Sequence, residues 1–195
     1  MTNKLIALVG PLGSGKSTVI KQLISMGVNF LPLYTTMAPD NICFDKNIYQ
    51  HIDKDDFSKL DLVVKYNYKE DYFGLIKKDV LEAINTFPIT LTTVSPAGVK
   101  QLSKVLKKNF ESVYIMADLV TIVGRMLQNG YNNDAIKKHL EYAEKNKEFD
   151  SWKMTTHVIK NISSPTQAVN QLMTILGLSQ LLSPDEFKQK IHKLT

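Results

Sequence analysis

The sequence predicts an α/β fold in which a parallel sheet carries helices on both faces. Three observations predict it. Apolar runs of strand length alternate with helical patterns along the chain. The first run, residues 4–9, is continuously apolar from Leu5 onward, the pattern of a strand buried on both faces. A glycine-rich turn, Gly10 to Thr18, joins that run to the first helical pattern, in which Val19, Ile20, Leu23 and Ile24 recur at helical spacing until Gly27.

The remaining elements follow in order. Residues 29–34 read as a second short strand, and Thr35-Thr36-Met37-Ala38-Pro39-Asp40 as a polar, proline-punctuated loop. Residues 41–76 are rich in Asp, Lys and Tyr and read as an insert, with a helix over 54–60 capped by Asp53. A helix is expected at 77–85 and a core strand of β-branched residues at 88–94. Ser95 and Pro96 have the chemistry of an N-cap and first helical position for a helix to about 108. A strand at 113–117 and an apolar helix at 119–127 follow, and Asn129-Gly130 breaks that helix before a Lys- and Glu-rich one at 134–149. His157 to Lys160 fits a last strand. Ser164-Pro165-Thr166-Gln167 opens a helix to about 176, and Ser183-Pro184-Asp185-Glu186 repeats the device for a tail helix from about 179.

The turn itself matches Gly-x-x-x-x-Gly-Lys-Ser/Thr, the P-loop pattern. Its backbone N–H groups converge on phosphate oxygens at a helix N-terminus, where the dipole favours anions. Gly10, Pro11, Leu12, Gly13, Ser14, Gly15, Lys16, Ser17 and Thr18 are therefore the expected ATP-binding residues. Lys16 would reach the β- and γ-phosphates, and the Ser17 hydroxyl would help hold Mg²⁺. Thr18 reads as capping or packing.

Composition bounds the rest. A chain of 195 residues, 44% of them hydrophobic, fits a single domain over residues 1–195. The net charge of +5 and the pI near 9.1 come from lysines spread along the chain, so nucleic acid is not the expected partner. No run has the length of a membrane span or the form of a secretory signal, and the single Cys43 excludes an internal disulfide, which together predict a cytoplasmic protein. Cys43, with no His or Cys near it in sequence, reads as an ordinary free thiol. Of 24 basic residues only Arg125 is arginine. Phosphoryl transfer relies on cations placed round the transferring group, and a forked guanidinium suits phosphate better than a lysine point charge. Lysines must do that work here, or less of it is done.

The ordered set of Gly10 to Thr18, then Thr35-Thr36-x-x-Pro39, Tyr72-Phe73-Gly74, Ala97-Gly98-Val99-Lys100-Gln101-Leu102 and the Arg125 to Gly130 segment resembles guanylate kinase over residues 4–176. The resemblance implies a P-loop kinase core, an acceptor-binding insert at about 35–76 and a lid at about 125–150. It implies ATP and Mg²⁺ as cofactors, Lys16 and Arg125 as the catalytic cations, and Asn161 near the adenine. On the acceptor side it points to Thr35, Thr36, Tyr49, Tyr72, Phe73 and Ser95, with a nucleoside monophosphate, GMP or dGMP by family default, as acceptor, in a monomer or homodimer. The chain departs from the family at the phosphate grip: Met37 and Asp40 stand where arginines are usual, Leu75 replaces a hydroxyl, Thr93-Val94-Ser95 replaces Asp-x-Asp, and Asn129 and His139 replace lid arginines. Two further readings therefore stay open, an ATP-binding regulatory protein that has lost catalysis and a P-loop kinase with another small acceptor. Lys65, Lys69, Lys137 and Lys138 read as solvated surface lysines. His139 reads as an exposed helix residue, the alternative being an imidazolium in place of a lid guanidinium. Trp152, with Tyr142 and Phe149, reads as packing between lid and core. The even spacing of Tyr66, Tyr68 and Tyr72 would place all three on one strand face.

Overall fold

The computed structural model describes residues 3–178. A five-stranded, wholly parallel sheet forms the centre, built from β1 (Lys4–Val9), β2 (Asn29–Phe30), β7 (Ile89–Thr93), β8 (Phe110–Met116) and β9 (His157–Lys160) in the order β2-β7-β1-β8-β9. Its two faces are read off β1 by alternation. Leu5, Ala7 and Val9 pack with Val80 of α3 (Lys77–Thr86) and with Val99, Leu102 and Leu106 of α4 (Pro96–Leu106). Ile6 and Leu8 face the other way, against Val19, Ile20 and Leu23 of α1 (Lys16–Ser25) and Ala168, Val169 and Leu172 of α7 (Pro165–Ile175). The expected α/β sheet with helices on both faces is what the chain forms.

The insert is more regular than its composition suggested. β3 (Leu33–Thr35), β4 (Tyr49–His51), β5 (Leu62–Tyr68) and β6 (Asp71–Ile76) make a second, four-stranded sheet in the order β4-β3-β6-β5. The single strand expected over 29–34 is instead divided between the two sheets, because Pro32 has no N–H to continue a ladder. Helix α2 (Lys54–Phe57) is shorter than expected, and the Asp53 side chain makes no capping hydrogen bond.

The region expected as a lid, about 125–150, holds the end of α5 (Leu119–Gln128) and all of α6 (Asn133–Lys145), helices capped by Asp118 and Asn132, whose side chains accept from the N–H groups of Thr121 and Ala135 at 2.8 Å each. Ile122, Met126, Tyr131 and Ile136 form its own small core. The helix expected to reach 149 stops at Lys145. Lys147 takes a left-handed conformation (φ 54°), and a 3-10 segment, Glu148–Met154, carries the chain back to the sheet. The tail helix expected from about 179 lies outside the described residues. No helix among the described residues is long and apolar enough to cross a membrane.

Candidate active site

The P-loop leaves the carboxyl end of β1, between β7 and β8, and runs into the N-terminus of α1. This is where open parallel sheets bind ligands, since loops on either side diverge and leave a crevice. Gly15 has φ +92°, and a Cβ there would collide with the Asn161 amide. Gly10 has φ +146°, and a Cβ would approach the Ile115 carbonyl at 2.9 Å. Both positions need glycine to keep the loop wound over the strand end.

Two side chains brace the loop from outside. Asn161, at the end of β9 and 1% exposed, donates to the Ser14 carbonyl at 2.8 Å. Arg125, on α5, donates to the same carbonyl at 3.1 Å and reaches the Asn161 amide oxygen at 3.5 Å. Lys16 Nζ donates to the carbonyls of Gly10 (2.6 Å) and Pro11 (2.9 Å), so the ammonium is held over the loop. Burial lowers its pKa to about 8, with the Glu148 carboxylate pulling the other way. The Ser14 hydroxyl is buried without a partner, an orphan at the floor of the cradle. An enclosed ammonium held over left-handed glycines fits a polyphosphate. Ser17 is exposed in the first turn of α1.

A cleft of about 480 Å³ opens over the loop, lined by Lys16, Ser17 and Thr18 on one side, Arg125 and Asn129 of the lid on another, and Asn161. A second, smaller cavity of about 100 Å³ lies between loop and insert. Leu12, Lys16, Cys43 and Tyr49 line both, so the two cavities meet at the Lys16 ammonium.

Of the residues expected on the acceptor side, the smaller cavity brings together Tyr49, Phe73 and Ser95. Ser95 also caps α4, accepting from Gly98 N–H. Thr35, Thr36 and Tyr72 do not line it. Thr35 is fully buried and its hydroxyl accepts from Met37 N–H, while Thr36 accepts from Tyr72 N–H. Tyr72 sits on the other face of the insert sheet, beside Phe57, because the chain reverses between β5 and β6 and pairs Tyr72 with Asn67. The expectation of one face for Tyr66, Tyr68 and Tyr72 therefore fails, whereas Phe73 pairs with Tyr66 and stacks on it at 5.5 Å between ring centres. Met37 is buried in the cavity wall and Asp40 is exposed outside it.

His139 is 6% exposed, which corrects its reading as a surface residue. Its Nδ1 lies 2.7 Å from the Tyr68 hydroxyl and its Nε2 lies 3.3 Å from Lys69 Nζ. Burial, reinforced by the Lys69 charge, pushes its pKa down to about 4, so the imidazole is neutral at physiological pH and stands in for no guanidinium. Cys43 is likewise less isolated than the sequence suggests, with Sγ 3.2 Å from the Tyr131 hydroxyl and 4.0 Å from His139 Nε2. Trp152 is 42% exposed beneath Lys153 and does not bridge lid and core, and Tyr142 packs instead on Tyr68 of the insert at 4.4 Å between ring centres.

Sequence reading missed Glu148. It begins the 3-10 segment, is 9% exposed and lines the smaller cavity opposite Lys16. The signal was weak, one acid in a Lys- and Glu-rich stretch.

No family model matches the chain, and no curated protein matches it. Among solved structures, guanylate kinase from Anaplasma phagocytophilum has a TM-score of 0.67 at 16% identity, covering 92% of this chain and 87% of that one. TT1252 from Thermus thermophilus has a TM-score of 0.53 at 16% identity, covering 93% of this chain and all of that one (100%). The chain has the fold of the P-loop kinases. Within that class, guanylate kinase is a solved structure that it resembles, and at 16% identity the likeness is one of fold.

Proposed function

We propose that this protein is an ATP-dependent kinase that transfers the γ-phosphoryl group to a small acceptor in the cavity between loop and insert. One observation carries the reading: a phosphate-cradling cleft and a separate aromatic cavity share a wall at Lys16, so a donor phosphate and an acceptor atom can meet beside one ammonium. Loop amides and Lys16 would hold the β- and γ-phosphates, and Arg125, anchored 3.1 Å from the loop, would add a second cation at the donor side. Mg²⁺ on Ser17 would supply charge neutralisation between the phosphates. The lid helices would close water out of the cleft and so suppress hydrolysis.

The resemblance to guanylate kinase makes GMP and dGMP the first monophosphates to try, and Tyr49, Phe73 and Ser95 support an acceptor at that place. The test is ADP release measured by a coupled assay across GMP, dGMP, other monophosphates and non-nucleotide acceptors, with Lys16→Ala as control and MgATP binding followed by calorimetry. Acceptor-stimulated turnover lost in Lys16→Ala upholds the kinase. MgATP binding with no stimulation by any acceptor would leave a nucleotide-binding regulatory protein instead.

A further inference from the structure

The acceptor cavity lacks what a phosphate monoester requires and contains what a hydroxyl requires. Its walls are the rings of Tyr49, Tyr66, Tyr68 and Phe73 with Met37 and Val94. Among the described residues that line it, Lys16 is the one cation, and that ammonium is committed to the donor loop. A monophosphate carries close to two negative charges at neutral pH, and leaving it without a paired cation in an apolar wall is costly. Here it would also face Glu148.

Glu148 is the group without an assignment. It is nine-tenths buried, and among the described residues its carboxylate accepts no hydrogen bond. A carboxylate that lines a cavity with no hydrogen bond to it, and with the Lys16 charge acting on it, calls for an explanation, and its place in that cavity supplies one.

We propose that the acceptor is an uncharged alcohol and that Glu148 is the general base that takes its proton. The proposal rests on the kinase reading above and changes what the kinase acts on. An acceptor phosphate is already ionised and attacks unaided, whereas an alcohol must lose its proton as it attacks, and a positioned carboxylate serves that purpose. The acceptor oxygen forms a bond to the γ-phosphorus as the bond from that phosphorus to the bridging oxygen breaks. ADP leaves with the bridging electrons, the alcohol becomes a phosphate ester, and its proton passes to the Glu148 carboxylate and then to solvent.

The surroundings agree with this role. Burial raises the Glu148 pKa and the Lys16 charge opposes the rise, which moves the acid toward the range where a base works well. The groups facing it are Lys16 from the loop, Tyr66 and Tyr68 from β5, Tyr114 from β8 and Tyr142 from α6. Burial pushes all four phenols above the ordinary tyrosine range, so they stay neutral and do not compete as bases. Thr93 and Ser95 line the same wall, the Thr93 hydroxyl donating to the Leu8 carbonyl at 3.0 Å and the Ser95 hydroxyl capping α4.

The test uses the full chain with MgATP and measures ADP release with water alone, with guanosine, thymidine and glycerol as neutral hydroxyl probes, and with GMP and dTMP as monophosphates. Wild type, Glu148→Gln and Glu148→Asp are compared, with thermal melting to confirm that each folds and calorimetry to confirm that each binds MgATP. The expected result is that at least one hydroxyl probe raises release above the rate with water alone, and that Glu148→Gln slows that stimulated release by about 10²-fold or more without changing MgATP affinity. The acidic limb of the pH–rate profile disappears in Glu148→Gln, and Glu148→Asp recovers part of the rate. Wild-type rates in a folded Glu148→Gln overturn the proposal, as does a monophosphate that outpaces every neutral probe and is indifferent to that substitution, or an ATP-bound protein that no hydroxyl probe stimulates. Failure of wild type to bind MgATP sinks the kinase reading and this proposal together, and calorimetry separates that outcome from the others.

Discussion

Lys16 is enclosed by the loop that it serves, its three donors partly spent on the carbonyls of Gly10 and Pro11. Substrate phosphates would draw the ammonium from those carbonyls, so its contribution is larger in the loaded enzyme than in the free one. Lys16→Ala is expected to lower kcat by about 10²–10³-fold, the range for loss of one preorganised charge at a reacting centre, as measured by ADP release. Its melting temperature should change little, because removing a buried ammonium also removes its desolvation cost. Gly15→Ala is the opposite case. The new methyl meets the Asn161 amide at a left-handed backbone position, so MgATP binding should be abolished in calorimetry and the melting temperature should fall. At this scale the strand-turn-helix setting of Gly10 to Thr18 was legible, since a contiguous nine-residue pattern carries its own geometry. Glu148 and His139 were not, because burial and partners 71 residues away decide their chemistry.

Local signals made several elements legible, though not the helix over 54–60, which ends at Phe57 without a cap from Asp53. Ser95 and Ser164 cap the helices that Pro96 and Pro165 open, as their spacing predicts. Asn132 does the same for α6, and Asn132→Ala should cost about 1 kcal/mol by chemical denaturation while leaving the core helices intact. Helix α6 docks on the insert through His139 against Tyr68. The folded pKa near 4 lies below the ordinary value of 6.5, so between those limits the unfolded chain binds the additional proton and stability falls as pH drops. After allowance for solvent screening at the lid edge, about 1 kcal/mol should be lost between pH 6.5 and 4, and His139→Phe should flatten that part of the stability profile. Two boundaries were illegible for a physical reason. The break at Lys147 rests on a left-handed lysine with no glycine to announce it, and the division of residues 29–34 between two sheets depends on where each half finds a partner strand.

Across the whole molecule, the central sheet carries the loop at the carboxyl end of β1, with α5 and α6 and the insert sheet on either side of it. Leu102 of α4 is fully buried against β1, and Leu102→Ala should cost about 2–5 kcal/mol in denaturant unfolding, through lost transfer energy and the cavity left behind. MgATP at about 100 times its Kd should add about 2.7 kcal/mol, a rise of roughly 5–10 °C in Tm by differential scanning fluorimetry. That rise should vanish in Gly15→Ala. The sequence by itself determined the α/β alternation, the caps at Ser95 and Ser164 and the turn after β1, because strand and helix periods, capping residues and the glycine pattern each act within a few residues. The tertiary structure alone decided what lines the smaller cavity. A reversal between β5 and β6 turned Tyr72 away and brought Phe73 onto Tyr66, and chain closure placed Cys43 beside His139, 96 residues on, and Glu148 opposite Lys16. Those proximities depend on how distant segments pack, and no local period encodes them.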